Sequence, residues 1–515
     1  MIRPGVVTYL LAVFATPALH GLAFPPARRY LWAWVALVPW FAAIRLAGAR
    51  TALLLSAVVT LTGTYLVAGW LPRAVAVYYG QPVVVGIGLF VAAWCATLAP
   101  WFLGFTLCYR AMAARSARTL PLLVGAAWAA CELGRVRVLV GDPFGLLGYS
   151  QAGVGPLVQI ADLTGVYGVS FLVAAVNAAL AEVWVAAMRG PRRTAEALAG
   201  LALVGAALAG AVGYGCFRLD PRTQRAEPAT RVVVAQANLD LGSQWRQDLY
   251  GRNLEEYMRL TLQALRESRP ALVIWPESAM TFFLEDEPLY RAAIGHLLSP
   301  YGAELVAGGP HAVGAPATRY YNSAFLVSPD GRVLARYEKQ RLLPFAEYFP
   351  FAGVALLRRE FARVREFAPG TATGPLPTVA GPAGVVICNE AMFPELVARR
   401  VQAGAAFLVN LANDSWLGDP QFSAEALDMA RLRAVEQRRY VVRASTSGPS
   451  AIIDPFGRIV VQSEAFSRGA IAGAVRPNDI VTPYGRFGDA FAIGCGLTAL
   501  AVALSGRLTR RTSPR

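Results

Sequence analysis

Val385-Val386-Ile387-Cys388-Asn389-Glu390 is a run of β-branched residues that stops abruptly at a cysteine and two polar residues. A short apolar run of this kind reads as a buried strand, and it leaves a chemically capable side chain at the strand's carboxyl end. Two other stretches repeat the pattern. Residues 271–274 are apolar and stop at Trp275-Pro276-Glu277, where proline ends the pairing and delivers a glutamate. Residues 320–327 and 332–339 read as a hairpin around Ser328-Pro329-Asp330-Gly331, whose second strand closes on Lys339. Upstream, 231–239 reads as a strand and 250–268 as an amphipathic helix with Leu254, Met258, Leu262 and Leu265 on one face. The stretch 218–488 is therefore an α/β domain, and ligands of open α/β sheets bind where strands end.

Two of the three residues are rarities. Of six cysteines, Cys95, Cys108, Cys131, Cys216 and Cys495 lie in or beside long apolar runs, where cysteine acts as a small apolar residue. Cys388 stands alone in 218–488, so it has no disulfide partner there, and it is either a reactive thiol or an inert buried one. Lys339 is the single lysine beside forty-seven arginines. A site that needs a compact ammonium cannot use a guanidinium in its place.

The rest of the chain is dominated by membrane-like sequence. With 55% hydrophobic residues and a mean hydropathy of +0.43, the 515-residue chain does not fit a wholly soluble protein. Eight apolar runs, at 5–24, 30–47, 51–70, 82–109, 119–134, 169–188, 195–216 and 489–505, approach or exceed the roughly 20 residues that cross a bilayer. The expected organisation is a seven-span bundle over 1–217, a water-facing domain over 218–488, and a final span with a basic tail over 489–515. The first run resembles a signal peptide, but the spans that follow at once make it a retained anchor. With the N-terminus inside, thirteen loop and tail arginines fall inside against five outside (Arg28, Arg29, Arg73, Arg135 and Arg137), which puts the 218–488 domain on the outer side. The net charge of +15 is then topology and anionic-lipid contact, with no call for nucleic acid. Acids are scarce in the spans; Glu132 and Glu182 read as helix ends or satisfied interfaces.

A thiol with a free pKa of about 8.5 needs a base or a nearby cation to become a nucleophile. The domain's histidines, His296 and His311, lie outside the strand-end motifs. Glu277 can serve as base if burial raises its pKa, while Lys339 can lower the thiol's pKa and, with a backbone N–H beside Cys388, stabilise a tetrahedral oxyanion.

Trp275-Pro276-Glu277, Lys339 ahead of Leu342-Leu343-Pro344-Phe345-Ala346-Glu347-Tyr348-Phe349-Pro350, and Cys388-Asn389-Glu390 together resemble the nitrilase superfamily. The membrane frame makes the chain similar to the apolipoprotein N-acyltransferases. Supporting motifs, in order, are Phe24-Pro25-Pro26, Gly148-Tyr149-Ser150-Gln151, Gly165-Val166-Tyr167-Gly168, Asn413-Asp414-Ser415-Trp416, Met429-Ala430-Arg431-Leu432-Arg433-Ala434 and Thr482-Pro483-Tyr484.

The resemblance implies a membrane α-helical bundle of about eight spans carrying a nitrilase-like α-β-β-α sandwich. It implies Glu277 as general base, Lys339 as stabiliser of the intermediate and Cys388 as nucleophile. Trp245, Glu347, Asn389 and Glu390 fall at supporting or substrate-contact positions, and Trp416, Asn413 and Arg431 are read as structural. The reaction implied moves an acyl chain from a membrane phospholipid, through a Cys388 thioester, to the N-terminal α-amino group of a diacylated apolipoprotein. Its setting would be the bacterial inner membrane, with the catalytic domain periplasmic. The same triad with water as acceptor would instead make an amidase or nitrile hydrolase. Three positions depart from the family pattern: Asn389 stands where tyrosine is common, Phe144 where tryptophan precedes the Gly-Tyr-Ser-Gln motif, and Ala426 where a histidine precedes the Met-Ala-Arg motif. The sequence holds no metal-ligand cluster, phosphate loop or nucleotide motif, so no cofactor is expected.

Overall fold

Apolar chain inside a bilayer must satisfy its backbone internally, as helix or closed barrel. The computed structural model, which describes residues 4–113, 115–223, 228–239, 247–314, 319–350, 359 and 366–511, folds the apolar runs as helices. Five are long and apolar enough to cross a membrane: Gly5–Ala23, Ala49–Ala68, Val83–Met112, Val166–Ala187 and Pro191–Leu219. Tyr30–Leu46 and Ala490–Ser505 are shorter apolar helices, and Leu120–Arg137 carries three charged residues, Glu132, Arg135 and Arg137. Length and composition thus support five of the eight expected spans among the described residues.

These helices belong to one compact unit made of Met1–Arg73, Val83–Gln224 and Phe487–Arg515; Ala74–Pro82 and Arg225–Arg486 make a second. Breaks in the first unit are repaired by side chains. Pro39 interrupts the 30–46 run, and the amide of Leu37 donates to Asn177 Oδ1 at 2.8 Å while Asn177 Nδ2 donates to the Ala33 carbonyl at 2.8 Å. Glu182 accepts from Arg45 Nε at 2.6 Å and from Tyr109 Oη at 3.1 Å. Glu132 Oε1 accepts from Trp128 Nε1 at 2.8 Å and from the Leu147 amide at 2.7 Å, so both acids are held within the bundle.

The second unit is built on two six-stranded sheets. The strands are β1 (Thr230–Gln236), β2 (Leu272–Ile274), β3 (Glu304–Val313), β4 (Arg319–Val327), β5 (Val333–Glu338), β6 (Leu376–Thr378), β7 (Gly381–Ile387), β8 (Phe407–Ala412), β9 (Val441–Ser445), β10 (Ala451–Ile453), β11 (Ile459–Gln462) and β12 (Gly469–Val475). One sheet runs β12-β1-β2-β3-β4-β5 and the other β11-β10-β9-β8-β7-β6. In each, three central strands are parallel (β1, β2, β3 and β7, β8, β9) and the flanking pairs antiparallel, so the sheets share one plan.

Strand alternation decides the layers. Val232, Val234, Leu272, Ile274, Val385, Ile387, Val409 and Val442 point into the core between the sheets. Their neighbours Val273 and Leu305 face the helices Tyr250–Ser268 and Pro288–Leu298, while Val386, Leu408 and Val441 face Pro394–Gln402 and Pro420–Gln437. The result is an α-β-β-α sandwich. Each fully buried aliphatic side chain contributes about 1.5–3 kcal/mol, and a one-residue register slip would turn every one of them to the wrong face. On Tyr250–Ser268 the buried face holds Leu254, Tyr257, Leu260 and Leu265, with Met258 and Leu262 at its margin.

Candidate active site

The parallel strands all deliver their carboxyl ends to the same edge of the sandwich. At the end of β2, Trp275 stays in the outer layer, where its Nε1 donates to Thr261 Oγ1 at 2.8 Å and its ring stacks on Tyr257 at 5.3 Å. Pro276 then turns the chain, and Glu277 enters the site with Ser278 in the left-handed region behind it (φ 56°). Gly308 on β3 allows this approach: a Cβ there would lie 2.6 Å from the Pro276 carbonyl oxygen and 2.7 Å from Glu277 Cα. Lys339 follows β5, its amide donating to the Asn322 carbonyl at 2.8 Å. Cys388 follows β7 in a left-handed conformation (φ 53°), which a cysteine adopts only where its surroundings impose it. Asn410 on β8 braces that turn, donating to the carbonyls of Val386 at 3.3 Å and Cys388 at 3.4 Å. Asn410 is held in turn by Arg443 at 2.7 Å, and Arg443 by Asp414 at 2.6 Å.

The three strand ends meet in one pocket. Glu277, Lys339 and Cys388 all line it, and all three are buried. Cys388 shares that pocket with the Glu277 carboxylate, whose charge acts on the thiol more strongly than that of any other neighbouring group. Lys339 Nζ lies 2.8 Å from Glu347 Oε2 and 3.6 Å from Glu277 Oε1. Glu347 also accepts from the Leu343 amide at 2.7 Å, and Asn322 Nδ2 lies 2.7 Å from Glu277 Oε1 and 2.7 Å from Glu347 Oε1.

Electrostatics follow from this crowding. Burial raises the Glu277 pKa above the usual carboxylate range; Lys339 pulls it back, and Glu347 pushes it up again. For Lys339, burial favours the neutral amine, but Glu347 and Glu277 outweigh it and hold the ammonium above its ordinary pKa. Burial raises the Cys388 thiol well above its ordinary value, and Glu277 adds to the effect. Lys339 does lower the thiol's pKa, as the sequence suggests, but the opposing contributions win. The thiol is therefore held in its neutral form next to Glu277, and its deprotonation must accompany attack.

The remaining sequence candidates separate. Glu347 is buried in the cluster. Glu390 is fully buried but turned to the backbone: it accepts from the amides of Gln340 at 2.7 Å, Arg341 at 3.0 Å and Ile387 at 2.8 Å, and from Tyr337 Oη at 2.9 Å. It ties the chain after Lys339 to the turn before Cys388 and supports the site without lining the pocket. Asn389 is buried, its Oδ1 makes no hydrogen bond among the described residues, and it too is absent from the pocket wall. Trp245 lies outside the described residues. Phe144 packs its ring on Trp70 at 5.0 Å in the helical unit, and Ala426 is buried on Pro420–Gln437.

Sequence reasoning missed several wall residues. Trp416 and Asn413, read as structural, line the pocket; Arg431 is structural, its Nε donating to the Gly457 carbonyl at 2.9 Å. Tyr78, from the 74–82 segment, meets Trp416 edge-on at 5.8 Å and forms an apolar wall with Leu343 and Phe367. Asn322 carried no signal beyond being a polar residue in an apolar strand.

Known proteins bear directly on this geometry. The model of the apolipoprotein N-acyltransferase N-terminal domain matches residues 17–179, and that of the carbon-nitrogen hydrolases matches residues 231–482. Over 517 residues the chain is 32% identical to the apolipoprotein N-acyltransferase of Geobacter metallireducens, covering 96% of this chain and 94% of that one. The chain belongs to the apolipoprotein N-acyltransferase family. Another member, from Bradyrhizobium diazoefficiens, is 33% identical over 77% of this chain and 74% of its own. Among solved structures, an amidase of the nitrilase superfamily from Nesterenkonia is 17% identical, covers 51% of this chain and 95% of its own, and superposes with a TM-score of 0.39. As a member of the apolipoprotein N-acyltransferase family the chain combines a membrane-type helical unit with a nitrilase-type sandwich.

Proposed function

We propose that this protein is an apolipoprotein N-acyltransferase that moves an acyl chain from a phospholipid, through a Cys388 thioester, to the α-amino group of a diacylated lipoprotein's N-terminal cysteine. The observation that carries the reading is a buried thiol, a buried carboxylate and a buried ammonium lining one pocket of a membrane protein. Glu277 takes the Sγ–H proton as sulfur attacks the ester carbonyl carbon. The negative charge that develops on the carbonyl oxygen is stabilised by the Lys339 ammonium and by a backbone N–H beside Cys388. Collapse breaks the C–O bond, Glu277 returns the proton to the departing lysophospholipid oxygen, and the thioester remains. The lipoprotein amine then attacks the thioester carbonyl; Glu277 accepts a proton from the amine and gives it to the departing sulfur, leaving an amide and the free thiol.

Water would be a competing acceptor, and membrane anchoring favours lipid-borne amines by confining enzyme and both substrates to one surface. The arginine distribution supports a catalytic domain, 218–488, on the outer face of the bacterial inner membrane, held by the bundle over 1–217 and the final helix and tail over 489–515. The test is intact-mass spectrometry after exposure to phospholipid, followed by addition of a diacylated lipopeptide. The parent gains an acyl mass that is thiol-labile and passes to the lipopeptide amine, and Cys388→Ala gains none. A Cys388→Ala protein that acylates the lipopeptide at the parent rate refutes the covalent route.

A further inference from the structure

Two glutamates share the pocket with Lys339, and the Cys388 thiol feels Glu277 more strongly than Glu347. Asn322 sits at the centre of that asymmetry. Its position is fixed by the sheet: on β4 it pairs with Pro310 of β3, and its carbonyl accepts from the Lys339 amide at 2.8 Å. Its side chain is buried, and the groups 2.7 Å from its outer atom are the Oε1 atoms of Glu277 and Glu347. Both are carboxylate oxygens, so the atom facing them is the NH2 group, whose two hydrogens supply one bond to each. Glu347 is further held by Lys339 at 2.8 Å and by the Leu343 amide at 2.7 Å. Glu277 has Asn322 at 2.7 Å and a longer contact to Lys339 at 3.6 Å.

We propose that Asn322 is a positioning residue that assigns the two carboxylates their roles, holding Glu347 on the lysine and leaving Glu277 turned to the thiol as the base. This rests on the acyl-enzyme reading above. A single amide does what two separate donors could not: it fixes the spacing of two like charges by bonding both at once. The charged and titratable groups around Glu277 are Lys339 after β5, Glu347 in the following loop and Cys388 after β7, with Asp414 beyond Cys388. The Asn322 bond favours the ionised form of Glu277, opposing the effects of burial and Glu347.

Removing that bond moves the acid limb of acyl-enzyme formation upward, because the base must be ionised to accept the thiol proton. A hydrogen bond to a charged group corresponds to a shift of about one to two pH units. The experiment measures the rate of acyl-mass uptake from phospholipid against pH, in the full-length detergent-solubilised protein. Asn322→Leu is expected to shift the limb by that amount, Asn322→Ser, whose one O–H can serve only one carboxylate, by less, and Asn322→Asp by more. An Asn322→Leu profile that falls uniformly with its limb at the parent's pH overturns the assignment, since a merely structural role lowers the rate without moving the limb. If Asn322→Leu fails to fold, an Asn322→Ser limb that coincides with the parent's does the same. Cys388→Ala is run beside them: acyl uptake by that control overturns the thioester reading itself, whereas a silent control with an unmoved Asn322 limb overturns only the positioning role.

Discussion

Replacing Lys339 with methionine keeps most of the side-chain volume and removes the ammonium from between two buried carboxylates. At an effective dielectric of about 20, contacts of 2.8 and 3.6 Å correspond to roughly 6 and 5 kcal/mol of attraction before desolvation is subtracted. Breaking such a buried cluster from one side costs about 3–5 kcal/mol net. For a domain of this size that lowers the apparent Tm by roughly 6–20 °C at pH 7. The loss depends on pH in a defined direction. In the parent, burial already raises the Glu277 pKa above 4.5, and Lys339 is the first influence opposing it. A carboxyl whose folded pKa exceeds its unfolded value binds its proton more tightly when folded, so stability rises as pH falls through the folded pKa toward the unfolded one. Without Lys339 the folded value climbs further, and the variant recovers stability on acidification from a higher starting pH. Lys339 itself stays protonated throughout, because its own pKa is raised from 10.5. The assay is thermal unfolding of parent and Lys339→Met in the same detergent, at one scan rate, between pH 5 and 8. The Tm gap should be widest at pH 8 and narrow toward pH 5, while acyl-enzyme formation falls by about 10²–10³-fold. A gap that is constant or widens toward acid would refute the reasoning.

Two further outcomes are expected. Gly308→Ala places a methyl against the Pro276 carbonyl and Glu277 Cα, both backbone, so the strand end carrying the base must move; acyl-enzyme formation should drop about 10²-fold, read by the rate of acyl-mass uptake. Glu390→Gln turns half of a carboxylate that accepts three backbone amides into a donor, leaving at least one amide without its acceptor; thermal unfolding should show a loss of about 1–3 kcal/mol, and acyl uptake should fall with it.

Much of this protein is local in origin and was therefore legible. The stop at Pro276 and the switch from apolar to polar at Cys388 are properties of adjacent residues, so the strand ends and their reactive side chains could be read directly. The helix Tyr250–Ser268 follows from a period of 3.6 that its residues carry themselves. The apolar runs likewise fold as helices because a bilayer leaves them few alternatives, though length alone supports five spans and not eight. Other features depend on which face a side chain takes after the sheets have paired. Glu390 and Glu347 adjoin motifs in the same way, yet one grips backbone amides and the other Lys339. Asn322 is one polar residue among many until β4 aligns it with Lys339. Tyr78 and Trp416, more than three hundred residues apart, reach one wall only through the fold. Sequence alone determined which reactive groups end which strands; tertiary structure decided which of them touch, because contact depends on register and side-chain direction across partners that the linear pattern does not name.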